Sequence, residues 1–212
     1  MRDVVCENMS ERDAALSELT MRTVSGVYIS LHSPDPDVIT IFDVAHSLGR
    51  ICRFNGALWS HYSVAEHAIL VSHLVEDPSL RLEALMHDAG EFVNADLPGP
   101  VKEYLRLAGC TVYDDLEARI MAAVRARFEL RPGPWPAVKR ADKLARALED
   151  EALRGLPWPA DMARPAWNRP IDCCHAALSR DLFLARFYEL EGHKPARERA
   201  FYAEFETGRA EK

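Results

Sequence analysis

Ser63-Val64-Ala65-Glu66-His67-Ala68-Ile69-Leu70-Val71-Ser72-His73-Leu74-Val75-Glu76-Asp77-Pro78 reads as one helix with its start and stop written into it. Ser63 followed three residues later by Glu66 is a capping-box pattern, in which a hydroxyl and a carboxylate satisfy two free backbone N–H groups of the first turn. Val64, Ala68, Val71 and Val75 recur at helical spacing, and Asp77-Pro78 ends the run because proline cannot continue it.

The same period extends outward in both directions. Upstream, Thr40 with Asp43 forms a cap, and Ile41, Val44, Leu48 and Ile51 share one face until Gly56. Before that, Gly26 and the β-like run Val27-Tyr28-Ile29-Ser30-Leu31 predict a small hairpin, and Ser33-Pro34-Asp35-Pro36 a loop. Downstream, the spacing predicts a third helix from about Leu80 to Phe92 and a turn at Leu97-Pro98-Gly99-Pro100. Thr111 opens a longer helix with Leu116, Ile120, Val124 and Phe128 on one stripe. Pro132 to Pro136 reads as a linker. Ala137 to Leu153 is again helical, with Val138, Ala141, Leu144 and Leu148 facing inward. Leu156 to Pro170, rich in proline and tryptophan, reads as irregular, with Trp158 and Trp167 packing. His175 to Glu206 holds one or two more helices. The expectation is an all-α helical bundle with a small N-terminal β-hairpin: an arm at 1–20 and a single domain at 21–212.

The chain has 212 residues, 48% of them apolar and 28% charged, which suits one globular domain. No apolar run approaches the roughly 20 residues that cross a bilayer. Met1 to Leu19 carries acids and no apolar block, so it does not read as a secretory signal. A net charge of −7 repels a nucleic-acid backbone, so no polymer partner is expected, and a phosphate site would need local cations. The five cysteines are odd in number and include no CxxC pair, which reads as reduced thiols in a cytoplasmic protein. A metal or redox role for Cys173-Cys174 is disfavoured, since adjacent residues rarely converge on one ion.

Four positions carry the chemistry: His67, His87, Asp88 and Asp142. They fall on three predicted helices of one bundle. Two imidazoles and two carboxylates are a mixed N/O set suited to a divalent transition metal (Co, Mn, Zn, Ni or Fe), with positions left for water and substrate. Taken singly, each histidine fits a surface or satisfied core residue equally well. Glu91, on the face of His87 and Asp88, is well placed to accept a proton or orient a water. Asp96 reads as either an acid at the site or a turn residue, and Lys102 as either a returning cation or a solvated one.

The ordered set Tyr62-Ser63-Val64-Ala65-Glu66-His67, Leu85-Met86-His87-Asp88-Ala89-Gly90-Glu91, Asp96-Leu97-Pro98-Gly99-Pro100-Val101-Lys102 and Ala141-Asp142 resembles the HD-domain metal-dependent phosphohydrolase superfamily, in its bacterial and phage 5′-deoxynucleotidase-like branch. Ile51-Cys52-Arg53-Phe54-Asn55-Gly56 resembles that branch's arginine-aromatic motif. The resemblance covers roughly residues 22–155. It implies His67, His87, Asp88 and Asp142 as metal ligands and Glu91 as the residue that activates or positions water. It implies Asp96 as the acid assisting leaving-group protonation, Arg53 as a substrate-binding arginine and Phe54 as an aromatic near sugar or base. Lys102 and Lys139 are offered as phosphate contacts.

The implied activity is removal of the 5′-phosphate from (deoxy)nucleoside monophosphates, in an enzyme that is a dimer or larger. The alternatives are release of triphosphate from a deoxynucleoside triphosphate in nucleotide-pool control, and a non-catalytic nucleotide sensor. A di-iron oxygenase would need more histidines than the single His87 near the HD pair. Two departures bear on substrate choice. The loop before Tyr62 reads Ala57-Leu58-Trp59-Ser60-His61, and Arg50 replaces a neutral polar residue, reading as a helix C-cap or a phosphate contact.

Overall fold

The computed structural model describes residues 13–191. The fold is mostly helical, with one two-stranded hairpin, as expected. Most of the predicted arm, and the tail beyond 191, lie outside the described residues. Within the described part of that span, Thr20 already pairs in the hairpin.

β1 (Thr20–Arg22) runs antiparallel to β2 (Tyr28–Ser30), with Met21 opposite Ile29. Gly26 closes the connecting turn at φ +93°, a region glycine enters without Cβ strain. Ile29 is fully buried and pins the hairpin to the core. Asp43 pins it as well. Its carboxylate accepts from Ser25 N (3.0 Å) and Ser25 Oγ (2.7 Å) in the turn, and from Thr40 Oγ1 (2.8 Å) at the cap of its own helix, α1 (Ile41–Leu48). Arg50 donates to the His46 carbonyl at 3.0 Å, so it caps α1.

α2 (Val64–Leu74) carries the expected capping box: Glu66 N donates to Ser63 Oγ and Ser63 N to Glu66 Oε2. It is the central element, packed against α3 (Arg81–Leu85), α7 (Pro136–Arg154) and α8 (Ala176–Leu190). Two apolar clusters share it. Val64, Ala65 and Ala68 join α1, α6 (Val112–Arg127) and Phe183 and Phe187 of α8 in one. Leu70, Val71 and Val75 join Val138, Ala141, Ala145 and Leu148 of α7 in the other. Trp158 and Trp167, from the irregular stretch after α7, pack on this second cluster as expected. The inward stripes of α6 and α7 hold at Ile120, Val124, Val138, Ala141 and Leu148, while Leu116 and Leu144 are only partly buried.

The helix predicted over Leu80–Phe92 is not continuous. A single 3-10 turn at Pro78–Leu80 leads into the short α3, and α4 is only Glu91–Asn94. Between them the hydrogen bonds tighten to the i→i−3 pattern: Ala89 N to Met86 O (3.1 Å), then Glu91 N to Asp88 O (3.0 Å). Gly90 lets this coil approach α6; a Cβ there would lie 3.4 Å from Met121 N. The turn at Leu97–Pro100 is also shorter than expected. Pro100 lies in the first turn of α5 (Gly99–Leu107), where a proline's missing N–H and fixed φ are tolerated. The sequence reading has no helix there, because α5 buries no residue and so lacks a core-facing stripe.

Candidate metal centre

His67 lies one turn into α2, on the face packed against α7. Asp142 and Glu149 are seven residues apart on α7, two turns along one face. His67 therefore meets both. Its Nδ1 is 2.5 Å from Glu149 Oε1, and its Nε2 is 3.1 Å from Asp142 Oδ1 and 3.9 Å from Asp88 Oδ2. From the tightened coil, His87 brings its ring centroid to 5.3 Å from that of His67. Its Nδ1 donates to the Ala84 carbonyl at 2.8 Å, and its Nε2 stands 3.0 Å from Asp88 Oδ2. The three predicted segments thus converge, though His87 and Asp88 come from a coil and not from a regular helix.

Both Nδ1 atoms face groups that can only accept, a carboxylate and a carbonyl, so Nδ1 carries the proton in each neutral ring. That leaves two Nε2 lone pairs turned toward carboxylate oxygens, and neither buried Nε2 has a hydrogen-bond partner. Lone pair against carboxylate is repulsive, and a cation among these atoms removes the repulsion. His67, His87 and Asp142 offer ligand atoms all within 4.8 Å of one another, so this group could hold a metal ion. Asp88 adjoins it through both imidazoles. The N/O donor set fits a divalent transition metal.

The chain's own charges express the same tension. Burial opposes a charge on His87, but Asp88 and Asp142 raise its pKa to about 9. Burial also disfavours charge on Asp88 and Asp142, yet both are held below the usual carboxylate range by the imidazoles. A proton and a cation compete for the His87 nitrogen.

Glu149 is the residue the sequence reading missed. It is fully buried. Its Oε1 accepts from His67 Nδ1 and Tyr62 Oη (3.1 Å), and its Oε2 from Arg53 Nε (3.2 Å) and Nη2 (2.9 Å). Burial works against its charge, but His67 and Arg53 keep its pKa below normal. One carboxylate thus orients the α2 histidine and holds the arginine that follows α1. Glu66, the acid next to His67 in sequence, instead serves the cap and accepts from Cys174 N (2.8 Å) and Ser179 Oγ (3.1 Å). A signal for Glu149 was present: an acid beside Leu148 within the buried stripe of α7, in register with Asp142.

Two clefts adjoin the group. The first, about 460 Å³, is lined by the charged side chains of Arg53, Asp88, Glu91, Asp96, Lys102 and Asp142 among others. Glu91 is 4% exposed with Oε2 unpartnered. Burial, then Asp88 and Asp96, push its pKa up to about 10. Asp96 is raised as well, by burial first and by Asp88. It follows Ala95, whose φ of 64° and ψ of 165° lie in a region normally reserved for glycine. Lys102 donates to Glu117 Oε1 at 2.7 Å. The second cleft, about 200 Å³, is lined by His87, Asp142, Trp135 and Lys139 among others. Lys102 and Lys139, expected together on a phosphate, therefore line different clefts.

Phe54 lines neither cleft. It begins a left-handed turn (Phe54 φ 56°, Asn55 φ 54°, Gly56 φ 72°), and its ring centroid has the guanidinium carbons of Arg146, Arg154 and Arg53 at 4.3, 5.2 and 5.5 Å.

Fold and site define a mostly helical protein with a His-His-Asp group, buried at His67 and half-buried at His87 and Asp142, that could hold a metal ion. No family model matches the chain. It is 37% identical over 177 residues to the uncharacterized protein YfdR of Escherichia coli (strain K12), spanning 80% of this chain and 94% of that one. It is 39% identical over 148 residues to an uncharacterized protein of Rhodobacter capsulatus, spanning 64% of this chain and 73% of that one. The chain belongs to the YfdR family. Among the described residues no helix is long and apolar enough to cross a membrane.

Proposed function

We propose that this chain is an HD-type phosphohydrolase that removes the 5′-phosphate of nucleoside monophosphates. The observation that carries the reading is the pair of buried, unpartnered Nε2 atoms facing Asp88 and Asp142 beside a cleft that holds Arg53, Glu91 and Asp96. His67, His87 and Asp142, with Asp88, would hold the ion. A divalent cation there supplies Lewis-acid withdrawal of charge from a phosphoryl group.

The remaining work belongs to the side chains. Arg53, fixed by Glu149, presents a delocalised cation to the non-bridging oxygens. Glu91, buried with a free oxygen, would accept the attacking water's proton once a cation among the neighbouring carboxylates draws its raised pKa down. Asp96, whose pKa is raised, can carry a proton to the departing ester oxygen. Cation supply favours a monophosphate over a triphosphate. Of Arg53, Lys102, Lys143 and Arg146 in this cleft, three already have a carboxylate partner: Glu149, Glu117 and Asp150.

The test is a nucleotide panel assayed with Mn, Co, Ni, Zn and Fe, the products resolved as orthophosphate or triphosphate. The expected result is metal-dependent orthophosphate release, abolished by Asp88→Ala. Turnover of that variant near wild type, or no hydrolysis with any metal, refutes the reading.

A further inference from the structure

The two clefts share Asp142 and differ in balance, the second having the aromatic and the larger apolar share. The first offers acids and cations along its wall. The second offers Trp135 with Leu130, Pro134 and Val138, beside the Arg131–Glu83 pair and with Arg125 and Lys139 as polar handles. Asp88 lines the first, His87 the second, and Asp142 both, so the candidate metal group stands between them. A nucleotide has the same division, an anionic end and a flat, mostly apolar end.

The aromatic assigned by resemblance to sugar or base is poorly available for it. Three guanidiniums crowd the Phe54 ring, and it lines neither cleft. Trp135 is placed differently. It stands at the N-cap of α7, seven residues before Asp142, and lines the second cleft itself. Arg131 lies 5.3 Å from its ring centroid and is held by both Glu83 oxygens (2.6 and 3.2 Å), which fixes the indole. A volume of about 200 Å³ falls below the ~300–1,000 Å³ of pockets that enclose a whole drug-sized ligand, so it suits one part of a ligand, such as a single heterocycle.

We propose that the second cleft is the base subsite: a nucleotide straddles the metal group, phosphate toward Arg53 and heterocycle against Trp135. The proposal rests on the phosphohydrolase reading and adds to it where the base sits. Packing on an indole tolerates any base, since every base has a π-face, so broad base acceptance is expected. Lys139 and Arg125 then donate to base-edge acceptors and do not act as phosphate ligands.

The experiment measures equilibrium binding of deoxyadenosine 5′-monophosphate and of base-free 2-deoxyribose 5-phosphate to the full chain, by calorimetry. Wild type should hold the nucleotide more tightly. Trp135→Ala should weaken the nucleotide by about tenfold, the scale of a lost base–aromatic contact, and leave the sugar phosphate unchanged. Trp135→Leu, which keeps apolar volume for the neighbouring core and removes the ring face, should do the same if the alanine variant does not fold. Equal weakening of both ligands, or of neither, overturns the proposal. So does loss of nucleotide preference in Phe54→Leu with Trp135 variants unaffected. Failure of wild type to bind either phosphate would sink the phosphohydrolase reading itself, a result separable from the others.

Discussion

His67 and His87 reach the same point by different means. His67 sits on α2, a capped helix locked between two apolar clusters, and faces Asp142 and Glu149 on α7, a helix of 19 residues. His87 sits in a coil between two short helices, held by i→i−3 bonds, a close passage at Gly90 and the strained Ala95. The first region is a frame whose geometry follows from helical period and burial. The second is a shaped segment whose geometry follows from local backbone choices. The frame supplies a fixed half of the candidate ligand set; the coil supplies His87 and Asp88, and Glu91 and Asp96 follow at the start of α4 and just after it.

The largest expected effect comes from the frame. Asp142→Ala should abolish metal binding, read by metal content after dialysis, and cut turnover by about 10³-fold or more. Retained stoichiometric metal would mean that the coil alone holds the ion. Next comes α4, which the coil leads into: Glu91→Gln should lower kcat by about 10²-fold, with KM and metal content little changed. A pure KM effect would count against its role.

Glu149→Gln probes the joint between frame and site. It should weaken metal affinity 10–100-fold, the usual result of losing a histidine's orienting acceptor. It should also destabilise the fold by about 3–5 kcal/mol, because Arg53 keeps its charge in a buried place without a counter-ion. The pH sign is definite. The folded carboxylate titrates below its ordinary value of 4.5, so its contribution is complete above that pH and fades as pH falls through the lower folded value. The variant should lose part of the acid limb in a melting-temperature profile, and an unchanged limb would contradict the assignment.

Two smaller changes separate the regions by stability alone. Ser63→Ala removes the cap of α2 and should cost about 1 kcal/mol in denaturant unfolding. Ala95→Gly should do the reverse. Relief of a conformation costing about 1–3 kcal/mol exceeds the 0.4–1 kcal/mol of added chain entropy, leaving a gain of about 1 kcal/mol. A loss would show that Ala95 is not strained.

The same contrast explains what the sequence disclosed. The frame was legible: Ser63 with Glu66 gave the start of α2, and Val138, Ala141 and Leu148 gave the inner face of α7. The convergence of His67, His87 and Asp142 followed from residue types and motif order. The coil was not legible, since His87, Asp88 and Glu91 satisfy helical spacing whether or not the helix is broken at Met86–Gly90. α5 was missed because its apolar residues face outward, Tyr104 and Leu107 being 72% and 80% exposed. Glu149 was passed over because an acid within an apolar stripe looks like a tolerated exception until the four hydrogen bonds it accepts are seen. The separation of Lys139 from Lys102, and the crowding of Phe54, depend on which way side chains turn around α7, which spacing alone does not resolve.

The Glu66 carboxylate that closes the α2 cap also takes the amide of Cys174 and the hydroxyl of Ser179. A ribosome that has made α2 has therefore not yet made what completes its first turn, and more than a hundred residues of synthesis separate the two. A messenger truncated shortly after the Asp142 codon would still encode every proposed ligand and yet yield a product with both Glu149 and the α8 anchor missing.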